Sequence, residues 1–172
     1  TGALNNISAK GKRGTLHFRL LDAEGRTVLR HKEKIVANGD ATNFDVTLRS
    51  DEKVKAWDEY TPYLYTLEVE SRFGVCRDSE KVRFGFRDME VKNGQLLLNG
   101  RTLFLRGEHD PGSFPLTGYP SMDKDEWVRI FRIGKEYGLN HWRFHSWCPP
   151  EAAFAAADEE GIYLQPELTL FS

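Results

Sequence analysis

The chain has 172 residues, 40% of them hydrophobic and 29% charged, with 24 basic against 26 acidic side chains and a formal net charge of -2. That balance fits a globular protein of one or two domains with a real core, and it argues against a nucleic acid or an anionic membrane as partner. No run approaches the roughly 18 to 20 apolar residues of a membrane span, and residues 1–12 are polar rather than a secretory leader.

From Thr15 to Arg87 short β-rich runs alternate with turn signals: TLHFRLL, DAEG, RTVLRHKEKIVA, NGD, TNFDVTLRS, YLYTLEVES, RFG, VCRDSEKVRFGF. Strand-length runs broken by Asp, Asn and Gly predict an antiparallel β-sandwich. In YTLEVE the residues Tyr65, Leu67 and Val69 share one face, while Thr66, Glu68 and Glu70 share the other. The opening TGALNNISAKGKRG reads as an abrupt start, as if an earlier strand were missing. Cys76 and Cys148 fit neither the immunoglobulin disulfide nor a metal spacing, so they are expected to be unpaired and structural.

The pattern changes near Asp88. Asn99-Gly100 sits between apolar runs as the centre of a type I′ hairpin. In MDKDEWVRIFRIGKEYGLN the period becomes 3.6: Asp123 is placed as N-cap with Glu126 closing a capping box, and Trp127, Ile130, Phe131, Gly134 and Tyr137 form one stripe before Gly138. NHWRF is a second strand after TLFLRG, PPEAAFAAADEEG a second helix with prolines at its start and Gly161 after its end, and IYLQPEL a third strand. Strand, helix, strand, helix, strand with short links predicts right-handed parallel units. Residues 1–87 are thus read as the sandwich and 88–172 as the β-α-β-α-β half.

Parallel sheets and barrels bind ligands beyond the carboxyl ends of their strands. Polar residues gather there three times: Glu108, His109 and Asp110 after the first strand; His145, Ser146 and Trp147 after the second; Glu167 after the third. Arg143, near the end of a buried strand, needs a carboxylate partner such as Glu167. His109 and His145 suit hydrogen bonding to a ligand or a place as solvated loop histidines, and Trp147 suits either stacking on a ring or covering the strand ends. Asp110 is also ordinary turn chemistry in HDPG. His17, His31 and His141 are read as structural.

Three stretches carry a family resemblance: WDEYTPYLYTLEV (57–69), VRFGFRDMEVKNGQLLLNGRTLFLRG (82–107) and GLNHWRFHSWCPPEAAFAAADEEGIYLQPE (138–167). They resemble glycoside hydrolase family 2, which includes β-galactosidases, β-glucuronidases and β-mannosidases. The resemblance implies an immunoglobulin-like β-sandwich followed by a partial (β/α)8 barrel, a carbohydrate substrate, no cofactor, and substrate-binding roles for His109, Asp110, Arg143, His145, Trp147 and Glu167. It departs from the β-galactosidase pattern in two places: RGEHDPG puts His109 and Pro111 where Asn and His are usual, and RFHSWCP reverses the usual Ser-His order at His145 and Ser146. The sugar is therefore open. A divergent bacterial branch acting on complex polysaccharides fits best, with a periplasmic or extracellular location compatible.

Retaining glycosidases need two carboxyl groups about 5 to 5.5 Å apart. In this family the acid/base glutamate follows an Asn, and no Asn-Glu dipeptide occurs here. The catalytic pair is expected beyond Ser172, leaving the 172 residues inert. Glu108 with Glu167 is the alternative pair.

Two rival readings stand beside this one. A carbohydrate-binding or adhesion sandwich leaves the helical half unexplained. A nucleotide-binding α/β domain lacks any glycine-rich phosphate loop. Three barrel strands leave two open edges and unpartnered inward faces, which predicts self-association of the chain through 103–172.

Overall fold

The computed structural model describes residues 1–5, 11–50 and 53–169. The chain divides into two compact units, Thr1–Val54 with Tyr65–Phe84, and Lys55–Leu64 with Gly85–Ser172.

The first unit is an antiparallel immunoglobulin-like β-sandwich. Strands β1 (Gly2–Asn5) and β4 (Ala41–Phe44) form a two-stranded sheet. Strands β2 (Arg13–Leu21), β3 (Thr27–Val36), β5 (Tyr65–Phe73) and β6 (Cys76–Phe84) form a four-stranded one in the order β3-β2-β5-β6. Leu16, Phe18 and Leu20 alternate inward along β2 and are buried, as a half-covered sheet requires. Phe18 meets Phe44 of the small sheet edge to face at 6.2 Å, and a cavity of about 480 Å³ lies between the sheets. Two details differ from the sequence reading. The opening residues supply a strand, β1, because Ala41–Phe44 offers them a partner. The run TNFDVTLRS stops pairing at Phe44.

The second unit opens with an antiparallel meander of β7 (Met89–Lys92), β8 (Gln95–Leu98) and β9 (Arg101–Thr102). Both of its Asn-Gly turns have positive φ at both central residues, Asn93 at 52° with Gly94 at 74° and Asn99 at 51° with Gly100 at 76°, the requirement of a type I′ hairpin. A parallel sheet follows, β10 (Gly107–Asp110), β11 (His141–Phe144) and β12 (Tyr163–Pro166), connected by α1 (Lys124–Glu136) and α2 (Glu151–Glu160). This is the β-α-β-α-β start of a (β/α)8 barrel, and no sheet in the described residues closes on itself.

Register decides which side chains face the helices. Trp142, Phe144 and Leu164 point to α1 and α2 and pack with Trp127, Phe131, Ala153, Ala156 and Ala157. The opposite face carries His109, Arg143 and Gln165 side by side, with Gly107, His141 and Tyr163 one step below. That face is mostly polar, so the expected row of stranded apolar side chains is not there. The sheet's large hydrophobics are spent on the helices.

Asp123 caps α1 by accepting from the Asp125 N–H. Glu126 does not close the box, because its carboxylate pairs with Arg129 at 2.6 Å. Tyr137 falls off the buried stripe and is 82% exposed, since it is the C-cap residue where the helix turns away. Gly161 ends α2 in the left-handed region at φ 73°, and a Cβ there would lie 2.9 Å from the Glu59 backbone.

The amino ends of the strands are tied by a buried polar network. The Asn140 amide donates to Glu59 Oε2 at 2.6 Å and to the Phe104 carbonyl at 3.0 Å, and Asn140 Oδ1 accepts from the Arg106 N–H at 2.7 Å. Arg106 pairs with Glu59 at 3.2 Å, and Trp57 donates its indole N–H to the Asp158 carbonyl at 2.8 Å. These contacts hold segment 55–64 to the strands and leave the carboxyl ends open.

Candidate functional site

The first parallel strand lies further along the chain than its apolar run suggests. Leu103 and Leu105 pack beside Trp57, Leu98 and Tyr163, outside the parallel sheet, and β10 is the polar GEHD itself. Its ladder comes entirely from β11, with His109 opposite Arg143 and Asp110 opposite Phe144. Glu108, His109 and Asp110 are therefore in the strand, not after it, and alternation splits them. His109 joins the open face with Arg143. Glu108 turns to the other side, into a groove with Ile130, Ile133 and Trp142. Glu108 and Glu167 do not face one another.

At the carboxyl ends the chain brings four of the expected residues together. Arg143 Nε donates to Glu167 Oε1 at 2.6 Å, and the Ser146 N–H donates to Glu167 Oε2 at 2.9 Å. His145 Nδ1 lies 3.4 Å from Glu167 Oε2 and 3.4 Å from an Arg143 guanidinium nitrogen. The His109 and His145 rings meet edge to face at 4.9 Å. The Ser146 N–H, and behind it the Arg143 guanidinium, hold the Glu167 carboxyl below its ordinary range against a partial desolvation. Ser146 reaches this position with φ at 62°, a left-handed conformation that non-glycine residues adopt infrequently. No sequence signal marks Ser146 as the donor, because the contact depends on that turn.

Asp110 and Trp147 build the wall. The Asp110 carboxylate accepts from the Gly112 N–H at 2.8 Å, so it serves the turn. Its carbonyl accepts from the Trp147 indole at 3.0 Å and from the His145 N–H at 2.9 Å. Trp147 is clamped edge to face between Phe114 at 5.5 Å and Phe144 at 4.9 Å. Its ring is fixed in place, as a rigid aromatic surface must be.

One step below, His141 is held under its usual pKa by burial, which a hydrogen bond to Gln165 only partly offsets. Gly107 is required beside it, for a Cβ there would come 2.5 Å from the imidazole Nδ1. Tyr163, buried next to Glu59, has its phenol pushed well above the ordinary value, mainly by desolvation and then by that carboxylate. Among the described residues no group of three or more His, Cys, Asp or Glu is placed to hold a metal ion. Cys76 and Cys148 are both free and both exposed. At the strand ends the described residues thus offer the Arg143 guanidinium, the His109 and His145 imidazoles and one carboxylate already engaged. Such a set can hydrogen-bond hydroxyls or an anionic substituent, and it holds no two carboxyl groups facing each other.

Comparison with known proteins gives this geometry its relatives. The chain is 30% identical over 171 residues to the beta-galactosidase large subunit of Latilactobacillus sakei, covering 96% of the chain and 26% of that protein. It is 30% identical over 118 residues to a beta-galactosidase of Alteromonas mediterranea, covering 67% of the chain and 11% of the relative. Among solved structures, a glycosyl hydrolase family 2 member from Bacteroides cellulosilyticus superposes with a TM-score of 0.85 at 23% identity, over 96% of this chain and 22% of that one. A β-glucuronidase from Parabacteroides merdae superposes with a TM-score of 0.74 at 24% identity, over 94% of this chain and 20% of that one. At these identities the structural likeness speaks to the fold. The family model for glycosyl hydrolases family 2 matches residues 1–87, just over half of the 172, and the chain therefore belongs to that family.

Proposed function

We propose that these residues are part of a retaining glycosidase acting on β-linked sugars, β-galactosidase-like in substrate class, and that within it they bind and orient the sugar without cutting it. The observation that carries the reading is the Arg143–Glu167 pair at 2.6 Å, flanked by His145 and by the edge-to-face contact to His109, at the carboxyl ends of parallel strands. Buried or half-buried guanidinium–carboxylate pairs are costly to assemble. One that faces open space beside two imidazoles suits recognition better than stability. The two sequence relatives named above carry the name beta-galactosidase, which favours a galactoside, and the chain spans only 26% and 11% of their lengths.

The acid/base and nucleophilic carboxylates are assigned outside these residues. The sequence holds no Asn-Glu dipeptide, and the alternative pair is split because Glu108 lies on the strand face opposite to His109 and Arg143. The test is kinetic. Aryl β-galactosides, β-glucuronides and β-mannosides are offered to the product of the whole reading frame and to the 172-residue chain. Turnover of a β-glycoside by the former alone supports the reading, and turnover by the latter, abolished in Glu167→Gln, overturns it.

A further inference from the structure

Net charge hides a segregation of charge in the sandwich. Strand β3 reads Arg30, His31, Lys32, Glu33, Lys34, and β6 reads Arg77, Asp78, Ser79, Glu80, Lys81, Val82, Arg83. Successive residues of a strand point to opposite faces. The lysines and arginines of both edge strands therefore fall on one face, and His31 with the acids Glu33, Asp78 and Glu80 on the other.

Pairing shows that the basic residues share the outer face. Lys32 stands opposite His17 and Arg30 opposite Arg19, while Lys81 stands opposite Glu68 and Arg77 opposite Arg72. The intervening residue of β2, Phe18, points the other way and is buried. Two carboxylates stand among these cations, and both are engaged. Glu68 pairs with Arg19 and, at 2.8 Å, with Lys81. Glu70 takes a forked pair of bonds from Arg72 at 2.6 and 2.9 Å. Arg30, Lys32, Lys34 and Arg77 are exposed and have no ion pair among the described residues. The His17 imidazole at the centre registers the field: burial first, then the charges of Arg72 and Lys32, hold its pKa below the ordinary value despite Glu70.

The layout selects the kind of ligand. A single phosphate or sulfate needs donors converging on one point. Here Arg30, Lys32 and Lys81 line a shallow groove of about 570 Å³, with Lys34 and Arg77 outside it on the same sheet face, spaced by about 6.8 Å along β3 and about 14 Å from β3 to β6 on standard strand spacings. An extended, repeatedly charged chain matches that spread. No Phe, Tyr or Trp points to this face in β2, β3, β5 or β6, so it lacks the platforms on which single-stranded bases stack. A flat sheet face also has no helix or ribbon to enter a duplex groove.

We propose that the outer face of the four-stranded sheet binds a carboxylated or sulfated polysaccharide. The choice of a carbohydrate among polyanions rests on the family to which the chain belongs. It does not depend on whether the strand ends of the second unit bind a sugar, and it places a carbohydrate contact on the sandwich.

The test uses the 172-residue chain with polygalacturonate as carboxylated probe, dextran as neutral probe and a short DNA duplex as rival polyanion, titrated at rising NaCl. Expected are binding to polygalacturonate that weakens steadily with salt, none to dextran, and a loss of roughly tenfold or more in Arg30→Glu/Lys32→Glu. A matched double reversal in the other unit, Lys92→Glu/Arg129→Glu, is expected to change binding less than about twofold. Should the first variant fold poorly, Arg77→Gln on the far edge strand reads the same face through a salt slope shallower by about 1. No binding to polygalacturonate at low salt, equal losses in the two double variants, an unchanged slope in Arg77→Gln, or tighter binding to the duplex than to polygalacturonate would each overturn the proposal. None of these readings requires hydrolysis, so they stand apart from the test of glycosidase function.

Discussion

Arg143 on β11 and Glu167 just after β12 are joined at 2.6 Å across adjacent parallel strands, and the second Glu167 oxygen is taken by the Ser146 N–H at 2.9 Å. Each carboxylate oxygen is thus engaged by the protein, which holds the guanidinium Nε in place beside the His145 and His109 imidazoles. In the full-length enzyme proposed here, Arg143→Ala and His145→Ala are expected to lower turnover far more than stability. A charge-assisted hydrogen bond contributes about 1.5 to 3 kcal/mol, or roughly ten- to a hundredfold in rate if it acts at the transition state. Steady-state kinetics beside thermal melts check this, and wild-type turnover in both variants would return the residues to a structural role.

The same pair sets a pH dependence. The Glu167 carboxyl is lowered from its ordinary 4.5 by the Ser146 N–H and then by Arg143. A depressed carboxyl contributes stability that is fully present above its unfolded value and lost as the pH falls through the folded one. Wild type is expected to exceed Glu167→Gln by a constant margin above about pH 4.5, the margin closing on further acidification. Melting curves across pH 2.5 to 7 check it, and a margin that first appears at high pH contradicts it.

Much of this architecture can be read from local chemistry. The Asn-Gly turns, the Asp123 cap and Gly161 each satisfy a rule confined to a few neighbouring residues, and the structure honours them. The position of β10 cannot be read that way. GEHD has little strand character, and it pairs only because β11 supplies a partner 34 residues away, with Arg106 N held by Asn140 Oδ1 at 2.7 Å. For the site, residue types at the strand ends pointed to Arg143, His145 and Glu167. The turn role of Asp110 is legible in HDPG, but residue types could not show that Glu108 faces the helices or that Ser146 donates from a left-handed backbone.

Gly134 separates propensity from packing. Alanine is worth about 1 kcal/mol over glycine in an exposed helix interior. Here a Cβ would lie 2.5 Å from the ring of Trp142, itself buried at 7% exposure. Gly134→Ala is therefore expected to destabilise the second unit by about 1 to 3 kcal/mol. Denaturant titration followed by tryptophan fluorescence checks the sign, and a gain in stability would show that Trp142 yields freely.

Among the described residues the parallel sheet pairs on one side only at β10 and at β12, and open edges of this kind recruit further strands. We expect the 172-residue chain to self-associate through its second unit, although the polar open face leaves fewer apolar side chains to drive it than the strand sequences suggest. Sedimentation over a dilution series checks this, a concentration-independent compact monomer being the contrary result.

The most direct measurement is hydrolysis itself, made on three proteins in parallel: the product of the whole reading frame, its Arg143→Ala variant and the 172-residue chain, each with aryl β-galactoside, β-glucuronide and β-mannoside. Turnover of a β-glycoside is expected from the first, a loss of roughly ten- to a hundredfold in the second, and none from the third. An inert whole protein on all β-glycosides, or a 172-residue chain that turns over and loses activity on Glu167→Gln, would contradict it.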